Sequence, residues 1–363
     1  RQVKFKTFNK QEHDSDVPPR KIQRIVEDKN GYIWVKTIDR KLYVFNKVTE
    51  CFHAVYDDMK NYSENIQVIK LQNTAEGDVL LLTKDKNLLL AGVDEKGQVT
   101  IKILFDSRDE INKHDYTLKH HVLCETEEYI SWIGTDYKVS AVHKGAELAS
   151  RPADFITSKI NSGDKDSFTS FFEDGRKVWV GDRAGIFYSI DVRTGLVNRY
   201  VLSEIKGAIS NLLVTPAGYV YLSVAGQGTY EYDLAERRLQ KINTEMNDAM
   251  VTHAFIDQYD KIWFHENEKA LIYYDPLNHT AKRFPFTMFG KITTLYSEDA
   301  GERGLFFLSP AGEAWLFDRE HAEMVYINKL KQLSNDRANQ QFYHLMLDND
   351  GVLWLSSADE GVY

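Results

Sequence analysis

The chain has 363 residues and a formal charge of −9. Of its residues, 43% are hydrophobic, 12% are aromatic and 7 are proline, which is the composition of a folded protein. The acidic balance gives no reason to expect nucleic acid, whose phosphates need a basic face. Twenty Tyr and nineteen Phe favour strands over helices, because flat rings fit a pleated surface. Cys51 and Cys124 make neither a disulfide framework nor a CxxC metal pair; one bridge between them is the minor alternative to two small buried hydrophobes. No segment approaches the roughly 18 uncharged apolar residues of a membrane helix, and no signal peptide is visible. The start at Arg1 and the stop at "EGVY", inside a motif, read as those of an excised piece whose anchors or targeting signals lie outside it.

In chain order, a lone strand "QVKFKTF" (2–8) is followed by a unit that recurs to the end. Each unit opens with an apolar run such as "IQRIV", "FTSFF", "ISNLLV", "ITTLY" or "FYHLML". A tight Asp/Asn/Gly turn follows, among them "EDKNG", "TAEG", "EDGR", "TPAG" and "DNDG", supplying positive φ and side-chain-to-backbone bonds. An anchor strand comes next, centred on Trp34, Leu80, Trp132, Trp179, Tyr221, Trp263, Phe306 and Trp354, at spacings of 46, 52, 47, 42, 42, 43 and 48 residues. In five units an Asn or Asp closes the third strand twelve positions after the anchor: Asn46, Asp191, Asp233, Asp275 and Asp318. A short fourth strand ("CFHAV", "RLQKI", "AKRFPF", "EMVYI") completes the unit.

Four antiparallel strands per roughly 45 residues predict an all-β β-propeller occupying 1–363 as a single domain. The last unit, from Phe342, has only three strands, so the N-terminal strand is expected to complete it and close the ring. Counted so, there are eight blades; seven blades plus part of a following domain is the alternative.

The pattern D-x-x-G-x-[IL]-W-[IV]-G-T followed by G-[IL]-x-x-[YF]-D resembles the two-component regulator propeller repeat. "WIGT" (132–135), "WVGD" with "GIFYSID", and "DNDGVLWLSSADEGVY" carry the resemblance, while the Gly of W-x-G-T is missing from most units. The resemblance implies the periplasmic sensor region of a hybrid two-component system histidine kinase from a polysaccharide-using gut bacterium. In such regions two propellers and an immunoglobulin-like domain precede a membrane helix and the kinase, and oligosaccharides are the usual signals. This chain would be one such propeller, signalling through segments outside it and contacting other domains of its receptor or a second copy.

Motifs for catalysis are lacking: there is no HExxH, GxSxG or GxxxxGK[ST], and "GQGTYE" from Gly226 reads as a strand connection. "DNDGVLWLSSAD" (348–359) starts like a calcium loop but has Leu353 where Gly is required, so a hairpin turn is expected. The acidic turns at Glu27-Asp28, Glu173-Asp174 and Glu298-Asp299 read the same way. His120-His121 and His253/His265 lack further ligands, so neither metal nor cofactor is expected.

What remains is recognition by loops. Those joining strands two and three carry Asp39, Arg40, Asp85, Asp136, Tyr137, Asp182, Arg183, Gln227, Glu266, Asn267, Asp359 and Glu360. From these, Arg40, Asp136, Tyr137, Arg183, Gln227, Glu266 and Asp359 are the candidate ligand contacts, since planar polar groups beside an aromatic suit a sugar. Solvated turn residues are the plainer reading of each. Long connections at 9–20, 107–121, 151–166 and 330–341 are further loops of a length that marks function or disorder. The leading expectation is thus a non-enzymatic sensory propeller, periplasmic and responsive to oligosaccharide. A polysaccharide lyase or glycoside hydrolase with channel carboxylates is the second reading, and a protein-interaction scaffold the third.

Overall fold

A computed structural model describes residues 8, 21–59, 67–85, 87–106, 123–126, 128–133, 139–145, 153–154, 168–242, 251–289, 295–299, 304–329, 342–357 and 361–362. They form eight antiparallel sheets spanning 22–54, 68–105, 123–154, 168–201, 209–241, 251–285, 296–329 and 342–362, here sheets 1 to 8. Seven are four-stranded meanders and the last has three strands, as the sequence pattern predicts. Ala153–Asp154, expected within a long connection, is instead the fourth strand of sheet 3, paired with Ser140 and Ala141. Helical structure among the described residues is limited to single turns at Tyr56–Met59 and Phe286–Phe289, and no helix is long and apolar enough to cross a membrane.

The second strands are buried on both faces. Ile33–Thr37, Val79–Thr83 and Ile262–Glu266 have every residue inside. Their Trp anchors are tied to the turns that precede them. In sheet 1, Asp28 accepts the backbone N–H groups of Asn30 and Tyr32 on Oδ1 and the Trp34 indole N–H on Oδ2 at 2.9 Å. The same bracket joins Asp174 to Trp179 (2.8 Å), Asp257 to Trp263 (3.2 Å) and Asp348 to Trp354 (2.7 Å). An indole N–H buried without a partner would cost about 1–3 kcal/mol, which is why each of these turns carries an acid. Where the anchor is Leu80 or Tyr221, a hydroxyl suffices: Thr74 and Thr215 accept only the turn N–H groups of Asp78 and Tyr219.

The third hairpin turn has its own cap. Asn46, Asp191, Asp233, Asp275 and Asp318 each accept N–H groups of the following turn on Oδ1. Four residues after each, Glu50, Gly195, Arg237, His279 and Ala322 all have positive φ, so the twelve-residue interval in the sequence is a turn signature.

The chain divides into two compact units, one built from 1–109 and 294–363 and the other from 110–293. Within the first, the opening strands Tyr296–Asp299, Phe342–Leu347, Ile22–Glu27 and Val68–Asn73 lie side by side in that order. Sheet 8 therefore packs against sheet 1. Phe8 N–H donates to Val362 O at 3.1 Å, and the Phe8 ring sits against Phe45 and Trp354. This is the contact expected of an N-terminal strand completing the last sheet; the rest of 2–8 lies outside the described residues. Within the second unit, Leu123–Glu125, Phe168–Glu173, Ile209–Val214 and Val251–Ile256 are likewise neighbours. Cys51 is a buried free thiol whose S–H donates to Thr49 O, so it is no half of a bridge; the Cys124 side chain lies outside the described residues.

Candidate functional site

Six opening strands share an irregularity. In each, the pairing with the second strand slips between the first and third residues: Ile22/Arg24, Val68/Lys70, Phe168/Ser170, Ile209/Asn211, Val251/His253 and Phe342/His344. The cause is legible in the sequence. Apolar residues stand at i and i+3 (Ile22 and Ile25, Ile209 and Leu212, Val251 and Ala254), a spacing that a period-two strand cannot bury on one face. One extra residue, a β-bulge, restores the register. It also leaves Gln23 and Arg24, Thr169, and Thr252 and His253 exposed.

The bulges have structural work as well. Thr169 Oγ1 donates to Ile209 O at 2.8 Å, and Asn211 Nδ2 to Val251 O at 2.7 Å, so each ties its sheet to the next. Opposite each bulge, on the second strand, is the position of the Gly in W-x-G-T. Gly181 fills it in sheet 4, where a Cβ would come within 2.4 Å of Ser170 Oγ and 2.7 Å of Ile209 Cγ2. Other sheets have Lys36, Leu82, Ser223, His265 and Ser356 there.

Two of these substitutions bury titratable groups. His265 faces His253 with ring centroids 5.7 Å apart, and its Nε2 has no hydrogen-bond partner. Burial, with a smaller contribution from His253, pulls His265 down to about 3, so both rings are neutral. No third ligand joins them among the described residues. Lys36 is 5% exposed and its ammonium donates to Gln23 Oε1. Burial first, then Arg40 and Arg24, lower its pKa to about 8. Arg24, its partner across the strands, is solvent-reachable yet densely surrounded, and its pKa is lowered by burial against the opposing pull of Glu298. Glu298 is raised to about 7 by burial, although Leu347 N–H donates to it and Arg24 lies near.

The sequence-derived contacts separate on this frame. Arg40 is exposed at φ 67° in the turn after Lys36. Arg183 is exposed in the corresponding turn of sheet 4. Gln227 is committed to the backbone, accepting from Lys206 N–H at 2.7 Å and donating to Glu204 O at 3.1 Å. Glu266 is buried and held by Arg283 at 2.9 and 3.2 Å. Asp182, similarly placed, is a turn cap for Ala184 and Ile186, and Asp39 and Asp85 accept from Thr37 and Thr83. Asp136, Tyr137 and Asp359 lie outside the described residues, as do almost all of the long connections. Among the described residues, Asp39, Asp85 and Asp182 are thus spent within their own turns, and the bulges hold polar groups outside the strand-two-to-three loops.

Two further features bear on recognition. Within the second unit a hollow of about 570 Å³ on the outer strand of sheet 4 is lined by Asn198, Arg199, Tyr200, Tyr232 and Arg237. Within the first unit Glu27, Asp348 and Asp350 converge closely enough to hold a cation. Lys47 Nζ already occupies that point, at 2.6, 2.9 and 2.8 Å from them. The "DNDG" turn is therefore a hairpin closed by a lysine.

No protein-family model and no curated protein sequence matches the chain. Solved structures do, at low identity. The extracellular domain of the putative hybrid two component system BT4673 from B. thetaiotaomicron is 14% identical, with a TM-score of 0.50 over 94% of this chain and 52% of that one. BamB from Moraxella catarrhalis is 12% identical, with a TM-score of 0.54 over 99% and 96%. The WD40 β propeller domain of Doa1 is 12% identical, with a TM-score of 0.51 over 81% and 91%. This chain spans about half the length of the BT4673 ectodomain. The likeness is one of fold: repeated four-stranded antiparallel sheets of the kind that β-propellers are made of.

Proposed function

We propose that this chain is a non-enzymatic recognition propeller of a sensor ectodomain, periplasmic, one of two propellers in a receptor whose membrane helix and histidine kinase lie outside it. In this reading the eight sheets form one ring, closed where Phe8 meets Val362. Its ligand is an oligosaccharide, and ligand or a neighbouring domain, in one copy or a pair, favours one arrangement of the ectodomain over another. The observation that carries the reading is the likeness of fold to half of the BT4673 ectodomain, described as extracellular and as part of a putative hybrid two component system. The repeat resemblance in the sequence agrees with it. The hollow with Tyr200, Tyr232, Arg199 and Asn198 adds aromatic and planar polar groups of the kind that bind sugars.

Calorimetric titration against plant, fungal and host-glycan oligosaccharides, with product analysis of each mixture, tests the reading. Heat without cleavage is expected. Cleavage of any sugar would replace the sensor with an enzyme, and no heat from the whole panel would leave the chain a structural module of its receptor.

A further inference from the structure

Six sheets display the position facing the bulge, and five fill it with a neutral group: Leu82, Gly181, Ser223, Ser356 and His265, whose ring is uncharged. Sheet 1 has Lys36. Its ammonium is buried, and its one hydrogen-bond partner among the described residues is the neutral Gln23 Oε1. The residue directly across the strands is Arg24, and the turn that follows presents Arg40. Among the described residues no carboxylate lies within ion-pair distance of any of the three. Asp39, the nearest acid in sequence, accepts from Thr37 and pairs with Lys41.

Like charges opposite one another across a strand pair are destabilising, and a buried ammonium without an anion is more so. The other groups around this point do not neutralise it. Glu298 faces Arg24 alone and is raised to about 7, while burial lowers His344, on the neighbouring opening strand, to about 3 and leaves it uncharged. Three cations are thus gathered around one bulge, one of them at the second-strand position that the other five sheets fill with a neutral group, and Arg24 and Arg40 are exposed. Arg supplies planar donors matched to oxyanions, Lys adds a point charge, and the carbonyl of Gln23 holds the ammonium while its amide N–H groups stay available as donors.

We propose that Arg24, Lys36 and Arg40 form a binding site for one oxyanion group, a carboxylate, sulfate or phosphate, either free or carried on a small ligand. The site stands independently of the sensory reading, because it rests on charge placement in one sheet and not on likeness of fold.

The test is calorimetric titration at constant ionic strength with three probes, sodium sulfate, sodium phosphate and trigalacturonate, with sodium chloride as blank. Saturable binding of at least one probe is expected. It should be lost in Lys36→Met, weakened about tenfold in Arg40→Gln, where one charge-assisted contact goes, and unchanged in Arg238→Gln, a surface cation of sheet 5. Should Lys36→Met not fold, Arg40→Gln, in an exposed turn, decides alone. Trigalacturonate binding more tightly than both inorganic ions would assign the anion to an acidic sugar, and the reverse order to a free oxyanion. Absence of saturable binding for all three, or undiminished binding in both variants, overturns the site. Neutral oligosaccharides form a separate arm, whose failure bears only on the sensory reading.

Discussion

Two lysines of sheet 1, eleven positions apart, have opposite surroundings. Lys47 touches three carboxylates, Glu27, Asp348 and Asp350, and joins sheet 1 to sheet 8. Burial alone would lower it, but hydrogen bonds to Asp350, Glu27 and Asp348 outweigh that and raise its pKa. Lys36 is more deeply buried, touches no carboxylate among the described residues, has Arg24 and Arg40 near it, and falls to about 8. One lysine completes a structural joint. The other is held in a charge state the fold does not favour, and such uncompensated departures from a repeat are where binding is to be sought. The difference teaches that burial of a cation is informative only together with its partners.

The largest expected effect would break the first half of that comparison. Lys47→Met leaves Glu27 and the fully buried side chain of Asp348 without their cation and should cost about 2–4 kcal/mol, read as a lowered urea midpoint. Asp348 shows why. Burial pushes its carboxyl up, yet Lys47, Trp354 and the Val352 N–H hold it below the usual range. A depressed carboxyl contributes stability above its unfolded value and loses it as pH falls, so the loss in the variant should be full near neutrality and shrink in acid.

The second half predicts the opposite sign. Lys36→Met removes a destabilised charge and should stabilise the protein by about 1–3 kcal/mol at neutral pH in anion-free buffer. A lysine lowered to about 8 from 10.5 binds fewer protons folded than unfolded between those values. Wild-type stability therefore rises with pH across that window, and the advantage of the variant should fade over it. A Lys36→Met protein less stable than wild type at neutral pH would mean that Lys36, too, is a structural joint.

A smaller effect sharpens the same contrast from the acidic side. Glu298 is raised to about 7 from 4.5, first by burial, with the Leu347 N–H and Arg24 opposing. A raised carboxyl contributes stability that is present below its unfolded value and lost as pH rises through its folded one. Wild type should lose stability between about pH 4.5 and pH 7, and Glu298→Gln should flatten that part of the profile. In Arg24→Gln the titration should move higher, because the opposing cation is gone. Carboxyl NMR shifts of Glu298 would read it directly.

Much of this was legible beforehand, and the limits were physical. The anchors, hairpin turns and Asn/Asp caps are local: Asp28 and Trp34, or Asn46 and Glu50, sit within a few residues of each other, so sequence spacing carries them. The three-stranded last sheet and its contact with Phe8 followed from counting strands. The cation site was half visible. Arg40 stood out as a loop residue, but Lys36 looked like one strand residue among others, since the bulge that sets it against Gln23 and Arg24 arises from pairing. The signal was available in the i, i+3 spacing of Ile22 and Ile25, repeated in Ile209 and Leu212. Glu266 and Gln227 could not be set aside from sequence, because Arg283 and the Glu204 carbonyl, which engage them, come from other turns and strands.

The smallest prediction concerns the turn that carries Lys47. That turn is capped by Asn46 and ends on Glu50, at φ 56°, a left-handed conformation that side chains other than Gly adopt at a cost. Gly195 occupies the same place in sheet 4, while Ala322, at φ 51°, occupies it in sheet 7. Ala322 is the clean probe, because replacing it removes only a methyl group. Ala322→Gly relieves the strained φ but increases the freedom of the unfolded chain, so the net gain should be about 0.5–1 kcal/mol, read as a raised urea midpoint. A gain in that range would assign the equivalent strain at Glu50 to the backbone, and the losses in Lys47→Met could then be attributed to charge. No gain would mean that the third turns are relaxed despite their φ.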